Sequence, residues 1–174
     1  MTRSDNLEPE FSRPFDVRQL DHRAVQLVAD EAERAALARR FGIVRIDRLE
    51  AEVVLERDGE ALNAAGTLSA DIVQSCAVSA EDLPVEIREP LAFRFVPEVD
   101  VHRPDEEVEL DADELDEIEF SGTTVDLGEA VAQSVALAID PFLTGPDADE
   151  ARRLLREESA SPFAALAALK KDLK

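Results

Sequence analysis

The stretch "LEAEVVLERDGEALNAAGTLSADI", residues 49–72, determines the predicted fold. Apolar and polar residues alternate in two runs, 49–55 and 62–72. Such alternation is typical of strands that bury one face and expose the other to water. Asp58 and Gly59 lie between the runs, and both residue types tolerate the positive φ angles of tight turns. The pattern therefore predicts an antiparallel β-hairpin.

A capped helix is predicted just before the hairpin, in "DEAERAALARRFG". Asp30 suits the N-cap, Glu33 takes the capping-box position, and Gly42 suits the C-terminal end. Short strands are predicted before this helix, at 14–20 and 24–29. The predicted apolar side of the helix consists of Ala32, Ala35, Ala36, Leu37 and Phe41.

A third strand and a second helix are predicted after the hairpin. Residues 85–95 keep a period of two, and Pro90 within them indicates a sheet edge or a bulge. An acidic loop is expected to end in a short strand at 118–120. The segment "TVDLGEAVAQSVALAIDPF" predicts a helix capped by Thr124 or Asp126. Its predicted apolar stripe consists of Leu127, Ala130, Val131, Leu137 and Ala138.

These elements predict an α+β fold, with an antiparallel sheet packed against two main helices and a C-terminal helical tail. The pattern leaves open whether the sheet closes into a barrel. Three regions are predicted: a flexible N-terminus at 1–12, the α+β domain at 13–143, and a linker with the helical tail at 144–174. Within the tail, the apolar stripe of "SPFAALAALKK" predicts a helix with an ordinary packing face.

The charge of the chain restricts its partners. The formal net charge is −21, and residues 98–119 carry twelve acidic residues against one basic residue. Such a surface disfavours DNA and non-specific RNA contacts, and it favours a basic protein partner or simply solubility. The first residues lack the apolar run of a signal peptide, and no run is long enough to span a bilayer. We therefore expect a cytoplasmic protein without membrane contact.

Cys76, in "QSCAVSAEDLP", is the only cysteine. A catalytic cysteine needs a base nearby in the fold, and the only histidines, His22 and His102, lie in stretches that we expect to be exposed. Zinc needs several ligands, and Ser79 is not one of them. We therefore interpret Cys76 as a small buried side chain near a strand end.

The acidic stretch "DADELDEIEF" does not fit a calcium loop, because Leu115 and Asp116 occupy the fifth and sixth positions where an oxygen ligand and glycine are needed. We interpret it as a solvated surface. No phosphate-binding loop, dinucleotide fingerprint or serine nucleophile turn occurs in the sequence. We therefore predict no catalytic residues, no metal and no cofactor. The candidate surface for a basic partner consists of Asp111, Asp113, Glu114, Asp116 and Glu117.

One local basic cluster lies between the first helix and the hairpin. Its arginines are candidates for contact with RNA phosphates: Arg39, Arg40, Arg45 and Arg48. The alternative is that they pair with nearby carboxylates, and this is the interpretation we favour. The nearby carboxylates are those of Glu31, Glu33, Asp47 and Glu50.

The order of these segments resembles the YceD family, the bacterial large ribosomal RNA accumulation proteins. The resemblance runs from about Phe15 to Lys171. It includes "LARRFG", the hairpin, "QSCAVSAEDLPVEIREPLAFRFVPE", the acidic loop, "VDLGEAVAQSVALAIDPF" and "SPFAALAALKK". Many members of the family carry Cys-x-x-Cys. Here Cys76 matches the first cysteine and Ser79 replaces the second, so the chain resembles the single-cysteine branch.

The resemblance implies a non-enzymatic role in the synthesis, processing or stability of 23S rRNA. Many family members are encoded beside a small basic protein of the large ribosomal subunit. The expected partner is therefore a basic ribosomal protein or a pre-50S particle, with direct rRNA contact as the less favoured route. Two alternatives stay open: an acidic chaperone or adaptor for a basic protein outside ribosome assembly, and an RNA-processing enzyme.

Overall fold

The computed structural model describes residues 9–20, 24–98 and 117–158. The described residues divide into two compact units. The first lies within Met1–Val73 and Pro84–Ile139, and the second lies within Gln74–Leu83 and Asp140–Lys174.

The described chain contains seven strands and three helices. In chain order they are β1 (Pro14–Asp16), β2 (Ala24–Val28), α1 (Glu31–Phe41), β3 (Arg45–Asp58), β4 (Ala61–Ser75), β5 (Asp82–Pro97), β6 (Glu117–Phe120), β7 (Thr124–Asp126), α2 (Leu127–Ala138) and α3 (Ala148–Glu158). This composition confirms the predicted α+β class. No described helix is long and apolar enough to cross a membrane.

The main sheet has five strands in the order β2-β3-β4-β5-β6, and β1 and β7 form a separate antiparallel pair. The sheet is open and does not close into a barrel. Its last pair, β5 with β6, is parallel, with Phe95 opposite Ile118. The prediction of an antiparallel sheet holds for the β2-β3 and β3-β4 pairs and not for this one.

The predicted hairpin is formed by β3 and β4. Asp58 pairs with Ala61, and Gly59 takes φ of 64° in the turn between them. Gly66 lies opposite Val53, at a point where the strands approach closely: a Cβ at residue 66 would overlap the carbonyl oxygen of Glu52. Only glycine fits a strand position of this kind without moving the backbone.

Helix α1 has the predicted ends. Asp30 accepts a hydrogen bond from the Glu33 backbone N–H at 2.9 Å, and the Glu33 carboxylate accepts one from the Asp30 N–H at 2.8 Å. Gly42 ends the helix in the left-handed conformation. The buried residues are Leu37 and Ala38, whereas Ala32 and Ala35, predicted on the apolar side, are exposed. Alanines carry too little apolar surface to fix the rotation of a helix.

The N-terminal segment is tied to the start of α2. The Asp126 carboxylate accepts from the Ser12 hydroxyl at 2.6 Å and from the Arg13 N–H at 2.8 Å, and it caps α2 at Gly128. Phe11, within the region predicted as flexible, is fully buried in the core. The ordered part of the first unit therefore begins before residue 13.

Helix α2 buries one long side that begins at Leu127 and continues through Val131 to Val135. Leu137, predicted on this stripe, is 88% exposed. Leu137 follows the buried Val135 by two residues, which places it about 160° away around a helix of 3.6 residues per turn, so it points away from the buried side. The prediction for Leu137 was therefore wrong.

Pro90 lies inside β5, in a part of the strand that β6 does not reach, because β6 pairs only with Arg94–Pro97. No described strand flanks β5 on that side at Pro90, and an open edge tolerates a residue without an N–H. The predicted short strand at 118–120 is observed as β6. The predicted helix that begins at Ser161 lies outside the described residues, and the three predicted region boundaries stay predictions.

Candidate functional site

A groove with a volume of about 480 Å³ lies between α1 and the start of β3. Three arginines, Arg34, Arg39 and Arg45, line it, together with the carboxylates of Glu31 and Asp47. Its apolar lining consists of Ala35, Ala38, Ile43, Val44 and Ile46. The groove is a concave surface with one more basic than acidic side chain on a strongly acidic protein.

Two of the four candidate RNA-contacting arginines line this groove, and they differ in their contacts. Arg45 Nε lies 2.9 Å from Asp47 Oδ1, and both side chains are exposed. Arg39 makes no ion pair with a described residue. Arg34, next to them, donates to the carbonyl of Ala29 at 2.7 Å and makes no ion pair with a described carboxylate.

The other two candidate arginines are engaged elsewhere. Arg48 donates to Asp71 at 2.8 Å and to Glu50 at 3.3 Å. Arg40 contacts Glu129 through two parallel hydrogen bonds of 2.8 and 2.7 Å, and it contacts Glu10 at 3.0 Å. Three of the four arginines, Arg40, Arg45 and Arg48, are thus in separate ion pairs rather than on one continuous basic surface.

The pair of Arg40 with Glu129 is less exposed than the pairs of Arg48 with Asp71 and of Arg45 with Asp47. The Glu129 carboxylate raises the pKa of Arg40, and the Arg40 guanidinium lowers the pKa of Glu129. Both side chains are partly buried, so water screens the pair less than it screens Arg45 with Asp47. Arg40 therefore serves to hold α1 against α2.

The second unit contains Cys76 in a turn of backbone N–H groups. Cys76 is 4% exposed, which agrees with its interpretation as a small buried side chain. Its Sγ accepts hydrogen bonds from the N–H groups of Ser79 and Gly145 at 3.3 Å and of Val78 at 3.5 Å. Its own N–H donates to the carbonyl of Glu81 at 2.8 Å, which closes the turn.

These donors change the acidity of the thiol. The Ser79 side chain, together with the N–H groups of Gly145, Ser79 and Val78, lowers the pKa of Cys76 from 9.0 to about 7. The Ser79 hydroxyl has one proton, and Glu81 Oε2 competes for it at 2.9 Å. The backbone N–H groups have no such competitor, so they form the more constant part of the stabilisation of the thiolate.

The chain around Cys76 is held from the other part of the second unit. The Ala77 N–H donates to the carbonyl of Leu143 at 2.8 Å, and Gln74 Nε2 donates to the carbonyl of Asp140 at 2.7 Å. Gln74 is the buried polar residue of the described chain, and this bond satisfies its amide. The segment that supplies the Gly145 N–H to the sulfur is thereby fixed in place.

The candidate surface for a basic partner is described at one residue only. Glu117 Oε1 accepts from Arg94 Nε at 2.9 Å, beside the contact of Arg94 with Asp58. The other four residues lie outside the described residues, and so do both histidines. Those four residues are Asp111, Asp113, Glu114 and Asp116. Within the part of the chain that the structure covers, no three His, Cys, Asp or Glu side chains are grouped so that they could hold a metal ion.

Comparison with protein-family models, with curated proteins and with solved structures gave no significant match to this chain.

The contact between Gly145 and Cys76 has no local signal in the sequence, because the two residues are 69 positions apart. The same holds for the pairing of Arg40 with Glu129, which are 89 positions apart. For each of these residues, the sequence gives only the residue type and no indication of its distant partner. The sequence pointed instead to carboxylates nearby in the chain, which is correct for Arg45 with Asp47 and for Arg48 with Glu50.

Proposed function

We propose that the protein is a YceD-like ribosome-biogenesis factor that supports the synthesis, processing or stability of 23S rRNA. It acts by binding a basic ribosomal protein or a pre-50S particle, and it does not catalyse a reaction. The observation that carries the proposal is the distribution of charge. The chain has a net charge of −21, and the arginines of its basic cluster are mostly taken up by internal ion pairs.

The ion pairs favour a basic protein over RNA as the direct partner. An RNA phosphate that contacts Arg40 or Arg48 has to displace a carboxylate already hydrogen-bonded to that arginine. A basic partner needs no such exchange. The chain has 40 carboxylate side chains and only 19 guanidinium and ammonium groups, so it has more carboxylates than its own cations can pair with. Attraction between opposite net charges also speeds association at low ionic strength.

The first test is capture of partners from growing cells with the tagged full chain, at low and at moderate salt, with protein and RNA both identified. We expect a basic ribosomal protein that is retained better at low salt. Pre-23S rRNA captured without any ribosomal protein, and lost on neutralisation of Arg39 and Arg45, would make the protein a direct RNA binder. Capture of basic proteins unrelated to ribosomes would favour the acidic adaptor.

A matched pair of variants locates the acidic surface that matters. One variant replaces Asp111, Asp113, Glu114 and Asp116 by their amides. The control replaces four exposed carboxylates of the described chain, Glu56, Glu60, Asp82 and Glu89. Both variants reduce the negative charge by four, so long-range attraction is the same. If only the first variant loses the partner, the acidic segment is the binding surface. If both variants lose it equally, binding depends on the net charge of the protein.

A cellular test addresses the process itself. Deletion of the gene is expected to lower 23S rRNA relative to 16S rRNA. An unchanged ratio, with normal precursor processing, would remove the ribosomal role. Incubation of purified protein with rRNA precursor, with and without Mg²⁺, tests the enzyme alternative: we expect no turnover of the precursor.

A further inference from the structure

Among the described strands, β6 lies at an open edge of the main sheet. It is the last strand in the order, so none of the described strands pairs with its outer side. The Glu98 N–H donates to the carbonyl of Phe120 at 2.9 Å, on the side of β5. Because successive residues of a strand direct their backbone groups to opposite edges, the N–H and C=O of Glu119 are directed to the open edge. Such groups form a template for an additional strand.

A groove with a volume of about 240 Å³ lies between β6 and the first half of α2. Its apolar lining includes Ile118 and Phe120, which are partly buried, and it reaches Ala130 on α2. A second cavity of about 320 Å³ continues it past Phe120 to Pro97. The apolar surface and the open edge thus adjoin along one strand.

The charged side chains that line these two cavities have one sign. Neither cavity is lined by a lysine or an arginine, and both have carboxylates at their margins. Glu129 is engaged by Arg40, and Asp126 caps α2. Glu98 and Glu119 are exposed and make no ion pair with a described residue. These two carboxylates therefore keep their full attraction for a cation.

We infer that the open edge of β6 and its groove bind an extended basic segment of a partner protein as an additional strand. The inference deepens the proposed function, because it names the surface and the form in which a basic partner is bound. In a strand, successive side chains point to opposite faces. Apolar side chains of the segment contact Ile118 and Phe120, and alternating lysines or arginines lie on the face of Glu119.

The same carboxylates select against a second copy of this chain. An acidic strand that approached β6 would bring like charges close to Glu98 and Glu119, and charged edge residues are a common means by which proteins prevent unwanted strand pairing. A basic segment meets attraction instead of repulsion. Charge thus decides which strand this edge accepts, and the backbone supplies the hydrogen bonds.

The test uses the full chain and a synthetic peptide of alternating valine and lysine, about eight residues long, the length of an ordinary strand. One tryptophan at the end of the peptide reports binding, because the protein contains no Trp or Tyr. A second peptide carries a methyl group on each backbone nitrogen, so it keeps every charge but donates no backbone hydrogen bond. We expect the first peptide to bind and the second to bind roughly tenfold more weakly or not at all.

Two pairs of variants test the surface. Glu119→Pro removes the outward N–H and the charge, whereas Glu119→Gln removes the charge alone; we expect a larger loss of affinity for the former. Gln133→Lys places a cation at the groove, and Ala136→Lys places one on an exposed position of the same helix that does not line it. Gln133→Lys should weaken binding and Ala136→Lys should leave it unchanged. Circular dichroism of each variant verifies its fold.

The outcomes separate this inference from the proposed function. Equal binding of both peptides, or full binding by Glu119→Pro, would overturn the added strand, while capture of a ribosomal protein by the wild type would still support the proposed function. Peptide binding that follows the variants as expected supports the edge as a binding surface. If the tagged protein then captures no ribosomal protein, the proposed function fails and the edge assignment stands.

Discussion

The guanidinium of Arg40 and the carboxylate of Glu129 form two parallel hydrogen bonds, of 2.8 and 2.7 Å, that join α1 to α2. The two residues lie 89 positions apart. Arg39, the preceding residue, makes no ion pair with a described residue. These two neighbouring arginines therefore differ in their surroundings. Arg40 joins α1 to α2, whereas Arg39 lines the groove between α1 and β3.

The first prediction concerns this difference. Arg40→Ala is expected to lower the free energy of unfolding by about 1 kcal/mol, because it removes a charge-assisted bidentate contact between partly exposed side chains. Arg39→Ala, the matched control, should stay within about 0.5 kcal/mol of the wild type. Urea unfolding followed by circular dichroism measures both values. Equal destabilisation by the two substitutions would contradict the assignment.

The same pair predicts a dependence on pH. Arg40 holds the pKa of Glu129 below its ordinary value in the folded protein. A carboxylate with a lowered folded-state pKa stabilises the fold above its unfolded-state pKa, and this contribution is lost as the pH falls through the folded-state value. The stability difference between wild type and Arg40→Ala should therefore shrink in acid. A difference that stays constant from neutral to acid pH would show that the charge of Glu129 is not its source.

The thiol of Cys76 is expected to titrate at about pH 7, against 9.0 for an ordinary thiol. Thiolate absorbance in the ultraviolet gives this value directly, since the chain has a single cysteine and no Tyr or Trp to interfere. Ser79→Ala should raise the pKa only in part, because the N–H groups of Val78 and Gly145 remain. A titration near 9 in the wild type would contradict the hydrogen bonds to the sulfur.

A lowered thiol pKa also affects stability. The thiolate stabilises the fold above the unfolded-state pKa of about 9, and this contribution is lost as the pH falls through the folded-state value of about 7. Relative to Cys76→Ala, which does not titrate, the wild type should gain thermal stability as the pH rises between these values. Parallel melting temperatures for the two proteins over this range would argue against the effect.

Gly66→Ala is expected to destabilise the protein by about 2 kcal/mol or more, because the new Cβ would overlap the Glu52 carbonyl of the neighbouring strand. The backbone of β3 has to move for the methyl group to fit. Ala65→Gly, at the adjacent exposed position, is the control and should cost about 1 kcal/mol or less. A Gly66→Ala protein as stable as the wild type would show that the strands do not approach as closely as described.

Asp126→Ala should cost about 2 kcal/mol, because the carboxylate caps α2 and also accepts hydrogen bonds from Ser12 and Arg13. Asp126→Asn keeps an oxygen for the cap and should retain part of the stability. Hydrogen exchange at the first turn of α2 separates the two roles. Unchanged exchange in Asp126→Ala would mean that the cap contributes little.

The sequence predicted the elements whose signals are local. The cap of α1 by Asp30 and Glu33, its end at Gly42, and the turn at Gly59 each depend on residues within a few positions of one another. The alternation of apolar and polar residues in β6 is the same for a parallel and an antiparallel strand. The sequence therefore does not predict that β6 pairs with β5 in parallel. Leu137 was predicted to be buried because it is apolar, although its position on the helix directs it away from the buried side.

In the candidate site, too, local contacts could be predicted from the sequence and long-range contacts could not. Arg45 with Asp47 could be predicted, because the two residues are adjacent on one face of a strand. Cys76 and Gly145 are 69 positions apart, and the sulfur meets the Gly145 N–H only after the chain between them, which includes β5 and α2, has folded. The groove at β6 exists only because β6 lies beside α2, which the order of elements does not specify.

The pairing of β1 with β7 has a consequence during synthesis of the chain. Pro14 lies opposite Asp126, so residues near the start of the core find their partners more than a hundred positions later. Contacts of such long separation form slowly, because a large loop has to close before they are made. Until Asp126 has left the ribosome, the ring of Phe11 has no completed core to enter. The nascent protein therefore exposes apolar surface for most of its translation, and such surface is prone to aggregation until the core is complete.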